Sequence, residues 1–150
     1  MLKLLKHKIY ALLVAMTLLA GCQQKVYVSI VKIDKNNNPT FCVSTWPNCV
    51  GAGVSLSDFF IAELDDKGKW STKDGITNLL WWLEPAESYP SLKEVTYGVV
   101  PSGWKEEAPA KPLQLNKWYT ISGYYYLHVR KKGFELLSHA EYYNRLPDHE

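Results

Sequence analysis

The chain has 150 residues; its first 21 read as a leader that export removes, and the remaining 129 are enough for one domain with a modest core. Of the 17 Lys and Arg, Lys3, Lys6 and Lys8 fall in the leader, so the mature part sets 14 basic against 15 acidic side chains, a formal −1, and composition gives no basis for nucleic-acid binding. Every aromatic residue except Tyr10, and all six Trp, lie in the mature part, which excludes an intrinsically disordered chain.

In chain order, Met1–Lys8 is basic and Ile9–Ala20 is an apolar run of twelve, too short to span a bilayer and suited to the central region of a signal peptide. Leu19-Ala20-Gly21-Cys22 follows and matches the bacterial lipobox, in which the cysteine sulfur takes a diacylglyceryl group and the chain is cut before it. Several acyl chains, palmitate among them, at about 0.8 kcal/mol per buried methylene, would hold Cys22 to a membrane almost permanently. Lipobox proteins retained at the inner membrane of Gram-negative bacteria carry Asp after the cysteine. Gln23 in that place directs the expected location to the outer membrane, facing the periplasm. The expected organisation is a lipoprotein signal peptide at 1–21, a lipidated tether at 22–25 and a single domain at 26–150.

The domain has strand periodicity with closely spaced turn signals. Lys25–Asp34 alternates, with Val26, Val28 and Ile30 on one face and Tyr27 and Val31 on the other. Asn36-Asn37-Asn38-Pro39 turns into Thr40–Ser44, which carries Cys42. With Cys22 lipidated, Cys42 and Cys49 are left as an even pair in an oxidising compartment, and a disulfide enclosing Val43–Asn48 is expected ahead of free thiols or a metal pair. Leu56–Leu64 reads as a strand, Asp65-Asp66-Lys67-Gly68 as a hairpin turn, and Trp70 as the restart of the next strand. Thr77–Glu84 runs up to Pro85, Lys93–Val100 up to Pro101-Ser102-Gly103, and Glu106–Pro112 reads as a loop. Lys117–Arg130 is the longest strand expected, and Lys131-Lys132-Gly133 turns into Phe134–Ala140. In the tail, Leu136, Ala140 and Tyr143 have helical spacing and Ser138 with Glu141 can form a capping box, yet strand is weighed above helix over 138–146. Seven or eight short strands point to an all-β chain, an antiparallel β-sandwich of immunoglobulin-like kind, with a small β-barrel second.

Chemistry is sparse. His128 and His139 flank the last turn without a third ligand in view, His149 is next to the C-terminus, and no GxSxG, P-loop or HExxH occurs, so neither catalytic residues, metal nor cofactor is expected. The acidic pairs Asp65-Asp66 and Glu106-Glu107 read as hydrated surface. The aromatic residues say more. Neighbours on a strand point to opposite faces, so Trp81 and Trp82 cannot both enter the core, and the same holds for Phe59 and Phe60. Three tryptophans are expected to serve a binding surface: Trp46 in the disulfide loop, Trp82 as the outward member of its pair, and Trp104 beside Lys105, Glu106 and Glu107.

The lipobox at Cys22, Phe41-Cys42-Val43, Val95-Thr96-Tyr97-Gly98 with Pro101-Ser102-Gly103, and Pro112-Leu113-Gln114-Leu115-Asn116-Lys117-Trp118-Tyr119 together resemble a family of small bacterial lipoproteins, the periplasmic immunity proteins for type VI secretion effectors. The resemblance implies a β-sandwich without catalytic residues whose partner is a toxic effector that sister cells inject. No binding residue carries over from it. Two other readings fit the same lipobox: an envelope assembly or structural lipoprotein, and a carbohydrate-binding module that stacks sugars on Trp46, Trp82 and Trp104.

Overall fold

The computed structural model describes residues 25–65, 67–72, 75–76 and 78–146; the leader, Cys22, Gln23 and His149 lie outside the described residues. The first alternating stretch is strand β1 (Tyr27–Ile33), with Val26, Val28 and Ile30 packed on the core and Val31 exposed. Its turn is built by Asp34, whose Oδ1 accepts from the backbone N–H of Asn36 and of Asn38 at 2.8 Å, while Asn37 takes the left-handed φ of 64° that a short amide side chain tolerates. The chain returns as β2 (Pro39–Ser44), antiparallel, with Tyr27 opposite Ser44 and Ile33 opposite Pro39. Strand β2 is buried throughout. Phe41 and Val43 face the core, while Cys42 on the opposite side is bonded to Cys49 with 5.7 Å between the Cα atoms. This disulfide draws the short 3-10 turn Pro47–Cys49 against β1 and β2.

The remaining elements are β3 (Val54–Ser55), β4 (Phe59–Glu63), β5 (Ser71–Thr72), β6 (Gly75–Ile76), β7 (Leu79–Pro85), β8 (Ser91–Leu92), β9 (Glu94–Thr96), β10 (Trp104–Ala108), β11 (Trp118–Ile121), β12 (Tyr125–Arg130), β13 (Gly133–Ser138) and helix α1 (His139–Tyr143). One sheet has three strands in the order β1-β2-β9 and the other six in the order β10-β7-β4-β11-β12-β13, with two-residue ladders β3-β8 and β5-β6 beside them. All pairings are antiparallel and the sheets stay open. The chain is an all-β antiparallel sandwich. Its core holds Phe41 and Val43 from the small sheet against Phe59, Ile61, Trp81, Leu83, Tyr119, Ile121, Leu127 and Val129 from the large one.

Three expectations need correction. Lys117–Arg130 is a hairpin, because Ser122 and Gly123 take φ of 49° and 75° and divide it into β11 and β12. Gly123 is required twice, since a Cβ there would also lie 2.8 Å from Cζ2 of Trp70. The first part of the expected loop Glu106–Pro112 belongs to β10, which pairs Trp104 with Pro85 and Glu106 with Leu83. The tail is helix α1, because its capping box forms: Ser138 Oγ accepts from the Glu141 N–H, and the Glu141 carboxylate accepts from the Ser138 N–H at 2.8 Å. These breaks, with the two-residue ladders, raise the strand segments to thirteen among the described residues.

The two ends of the sandwich differ. At one end the chain enters: Val26, the Ser44–Gly53 loop, Phe59, Leu83 and the Ile121–Tyr125 turn gather there, and the Tyr125 hydroxyl donates to the Val26 carbonyl at 3.3 Å, tying the sheets together. Ile33, Glu63, Trp118 and the β12–β13 turn lie at the far end. The disulfide clamps a loop at the entry end. Replacing Cys42 and Cys49 together by Ser is expected to lower stability by about 2–3 kcal/mol, read as a lower urea midpoint; an unchanged midpoint would show that the loop keeps its geometry without the bond.

Candidate functional site

Strand parity leaves the large sheet with a second apolar face. Phe60, Leu64, Trp118, Tyr126 and Leu137 point away from the core because Phe59, Ile61, Tyr119, Leu127 and Leu136 point into it. Helix α1 covers this face with Tyr142, which stacks on Tyr126 at 4.0 Å and 5° and meets Trp118 edge-on at 5.2 Å. Trp118 stacks in turn on His128 at 4.5 Å and 8°. The helix is clasped to β13 by Arg145, whose Nη1 donates to Glu135 Oε1 at 2.6 Å, and Arg130 donates to the other carboxylate oxygen.

Where the helix ends, a groove of about 350 Å³ opens at the far end of the sandwich. Trp118 and Tyr142 form its aromatic floor; Lys67, Lys117 and Arg145 stand on its rim with Asp65 among them. Each wall has a local cause. Asp65 Oδ1 accepts from the N–H of Lys67 at 2.9 Å and of Lys69 at 2.8 Å, which closes the hairpin turn. Gly68 turns with φ of 71°, which disfavours any other residue, and a Cβ there would stand 3.0 Å from the Tyr142 hydroxyl, so glycine lets the turn approach the helix closely. Lys117 pairs with Glu63 at 2.7 Å.

The electrostatics suit binding. Burial, then the neighbouring Tyr143 and Asp65, push the Tyr142 phenol above its ordinary range, and burial with Tyr143 does the same to Tyr126, so both stay neutral donors. Arg145 first, then Arg130, holds the Glu135 carboxyl below its ordinary value against the opposing effect of burial. An aromatic floor with an Arg and Lys rim can stack planar groups and pair carboxylates, the chemistry that dominates protein recognition sites. Among the described residues no group of three His, Cys, Asp or Glu is placed to hold a metal ion. His128 lies under Trp118, and Nδ1 of His139 is 3.1 Å from the Tyr126 hydroxyl.

The structure does not bring the three expected tryptophans together. Trp46 is 66% exposed in the disulfide loop at the entry end. Trp82 does face away from the core while Trp81 is fully buried, but it lies on the large sheet, half-buried, with its indole N–H unpartnered among the described residues. Trp104 is no exposed anchor: pairing with Pro85 turns its ring into the core, and it keeps only 6% exposure. Sequence reasoning missed the groove. Its one available signal was the Ser138–Glu141 capping box, since a helix is what carries Tyr142 and Arg145 to Trp118.

Trp104→Ala is therefore expected to destabilise by about 3–5 kcal/mol, and Trp46→Ala by less than about 0.5 kcal/mol; equal effects in thermal or urea unfolding would contradict these placements. The lowered Glu135 pKa means that its clasp contributes fully above the ordinary carboxylate value of 4.5 and is lost as pH falls through the lower folded value. Amide protection of α1 should thus hold from neutral pH to mild acid and fail below it, and Glu135→Gln should flatten that acid limb. An identical acid limb in the variant would remove Glu135 from the helix clasp.

Comparison with known proteins finds no family model, no curated protein and no solved structure that matches this chain.

Proposed function

We propose that the protein is an outer-membrane-anchored periplasmic lipoprotein that binds and neutralises an effector delivered by type VI secretion into the periplasm. The observation that carries this reading is the polarity of the domain. Val26, four residues after Cys22, lies at one end, and the Trp118–Tyr142–Arg145 groove opens at the other. An anchored inhibitor needs a recognition surface turned away from the membrane, on a scaffold stiff enough that little ordering entropy is lost on binding. The groove has the composition of such a surface, with Trp118 and Tyr142 at its floor and the charges of Arg145, Lys67 and Lys117 at its rim. The reading requires no catalysis and no cofactor. It places the effector's target in cell wall or membrane, because a lipid-anchored periplasmic protein cannot guard the cytoplasm.

A strain that lacks the protein should die in contact with secretion-competent sister cells, and the wild-type gene should rescue it. Lys67→Glu, on an exposed turn, should export and fold normally yet bind the effector about 30-fold more weakly, the effect of a loss near 2 kcal/mol at a hot spot. If the deletion strain survives contact as well as its parent does, the proposal is wrong. An envelope defect in isolated culture would instead favour the assembly role.

A further inference from the structure

The four most exposed large hydrophobic side chains among the described residues are Tyr89 at 70%, Tyr124 at 69%, Trp46 at 66% and Val50 at 61%. All four lie at the entry end. Trp46 and Val50 are in the loop after β2, Tyr124 is in the β11–β12 turn, and Tyr89 is in the loop after β7, where it shares a surface hollow with Ser57 and Pro85. Between them the two sheets part into an apolar mouth of about 300 Å³, lined by Val26, Val28, Leu56, Phe59 and Ile121 with Tyr124 at its edge.

The loop that presents Trp46 is held still. It is closed by the Cys42–Cys49 bond; Ser44 Oγ donates to the Trp46 carbonyl at 2.7 Å, and Lys93 Nζ donates to the carbonyls of Cys49 and Gly51 at 2.8 and 2.6 Å. Asn48 and Cys49 take left-handed φ of 59° and 62°. Non-glycine residues rarely accept that conformation, and it persists where the surroundings enforce it. The result is an indole kept in water by a braced loop.

We infer that this end of the sandwich is a membrane-seating face whose occupant is the interfacial layer of the phospholipid bilayer. The inference rests on the reading of Cys22 as the lipidated residue. From Cys22 to Lys25 is three residues, and an extended chain advances about 3.3–3.6 Å per residue. The Lys25 Cα therefore stays within about 11 Å of the Cys22 Cα, which leaves little room for a folded partner between this end and the bilayer and brings its side chains near the headgroups. Trp and Tyr suit that layer, because their rings enter the acyl boundary while N–H and O–H remain hydrated. Trp46 is thereby assigned to lipid and not to the effector. The end carries charges of both signs, Lys25 and Lys93 with Asp58 and Glu87, so seating depends on the aromatic residues and is insensitive to salt.

The test uses the mature lipidated protein in vesicles of phosphatidylethanolamine and phosphatidylglycerol, with some lipids brominated on the acyl chains. Bromine should quench part of the tryptophan fluorescence, that part should vanish in Trp46→Phe, and it should be unchanged at high salt. If the protein floats with the vesicles and carries acyl mass on Cys22, yet quenching is absent or persists in Trp46→Phe, the seating inference fails while the anchoring reading stands. If Cys22 carries no acyl mass and the protein does not float, both fail.

Discussion

A β-strand cannot hide consecutive side chains on one face, and the rest of this structure follows from that constraint. The six-stranded sheet carries Phe59 beside Phe60, Trp81 beside Trp82, and Tyr125 beside Tyr126. Whichever member enters the sandwich, its neighbour leaves the opposite face apolar. Two covers are therefore needed: the three-stranded sheet closes one face, and helix α1 with the Asp65–Gly68 turn closes part of the other. Burying one large aromatic side chain is worth about 1.5–3 kcal/mol, so the Tyr126–Tyr142–Trp118 stack can hold a helix far too short to persist alone.

The second cover is incomplete, and the candidate site is its unfinished edge. The helix stops at Tyr143, and Arg145 and Leu146 follow it, leaving the edges of Trp118 and Tyr142 open beside Lys67 and Lys117. The same side chains that fasten the helix thus furnish the groove, which couples stability to recognition: Glu135 both clasps Arg145 and fixes where its charge stands. At the other end the braced Cys42–Cys49 loop does the opposite, holding Trp46 and Val50 exposed. On the proposed reading, the braced end seats on lipid and the groove end meets a partner, which is the polarity that an anchored inhibitor requires.

Much of the architecture was legible in the residues. The alternation of Val26, Val28 and Ile30 marked the first buried face, Asp65 to Gly68 marked a turn, and Cys42 with Cys49 marked the bridge. What escaped depended on register and local backbone geometry. Trp104 follows a turn and precedes three charged residues, as an exposed anchor would, and only its pairing with Pro85 puts it inside. In Lys117–Arg130 the Ser122-Gly123 dipeptide is a turn signal, but it is masked by the Tyr residues that continue the apolar run on the other side. The groove was hidden because propensity over 138–146 was balanced, and a local capping box decided it.

The most direct measurement is residue-resolved hydrogen exchange on the Tyr142→Ala protein. If the outer aromatic stack holds the helix and shapes the groove, amides of His139–Tyr143 should lose protection, together with those around Gly68 and Trp118, while β1, β2 and the disulfide loop keep theirs. Protection unchanged at the helix, or lost uniformly through both sheets, would contradict the account.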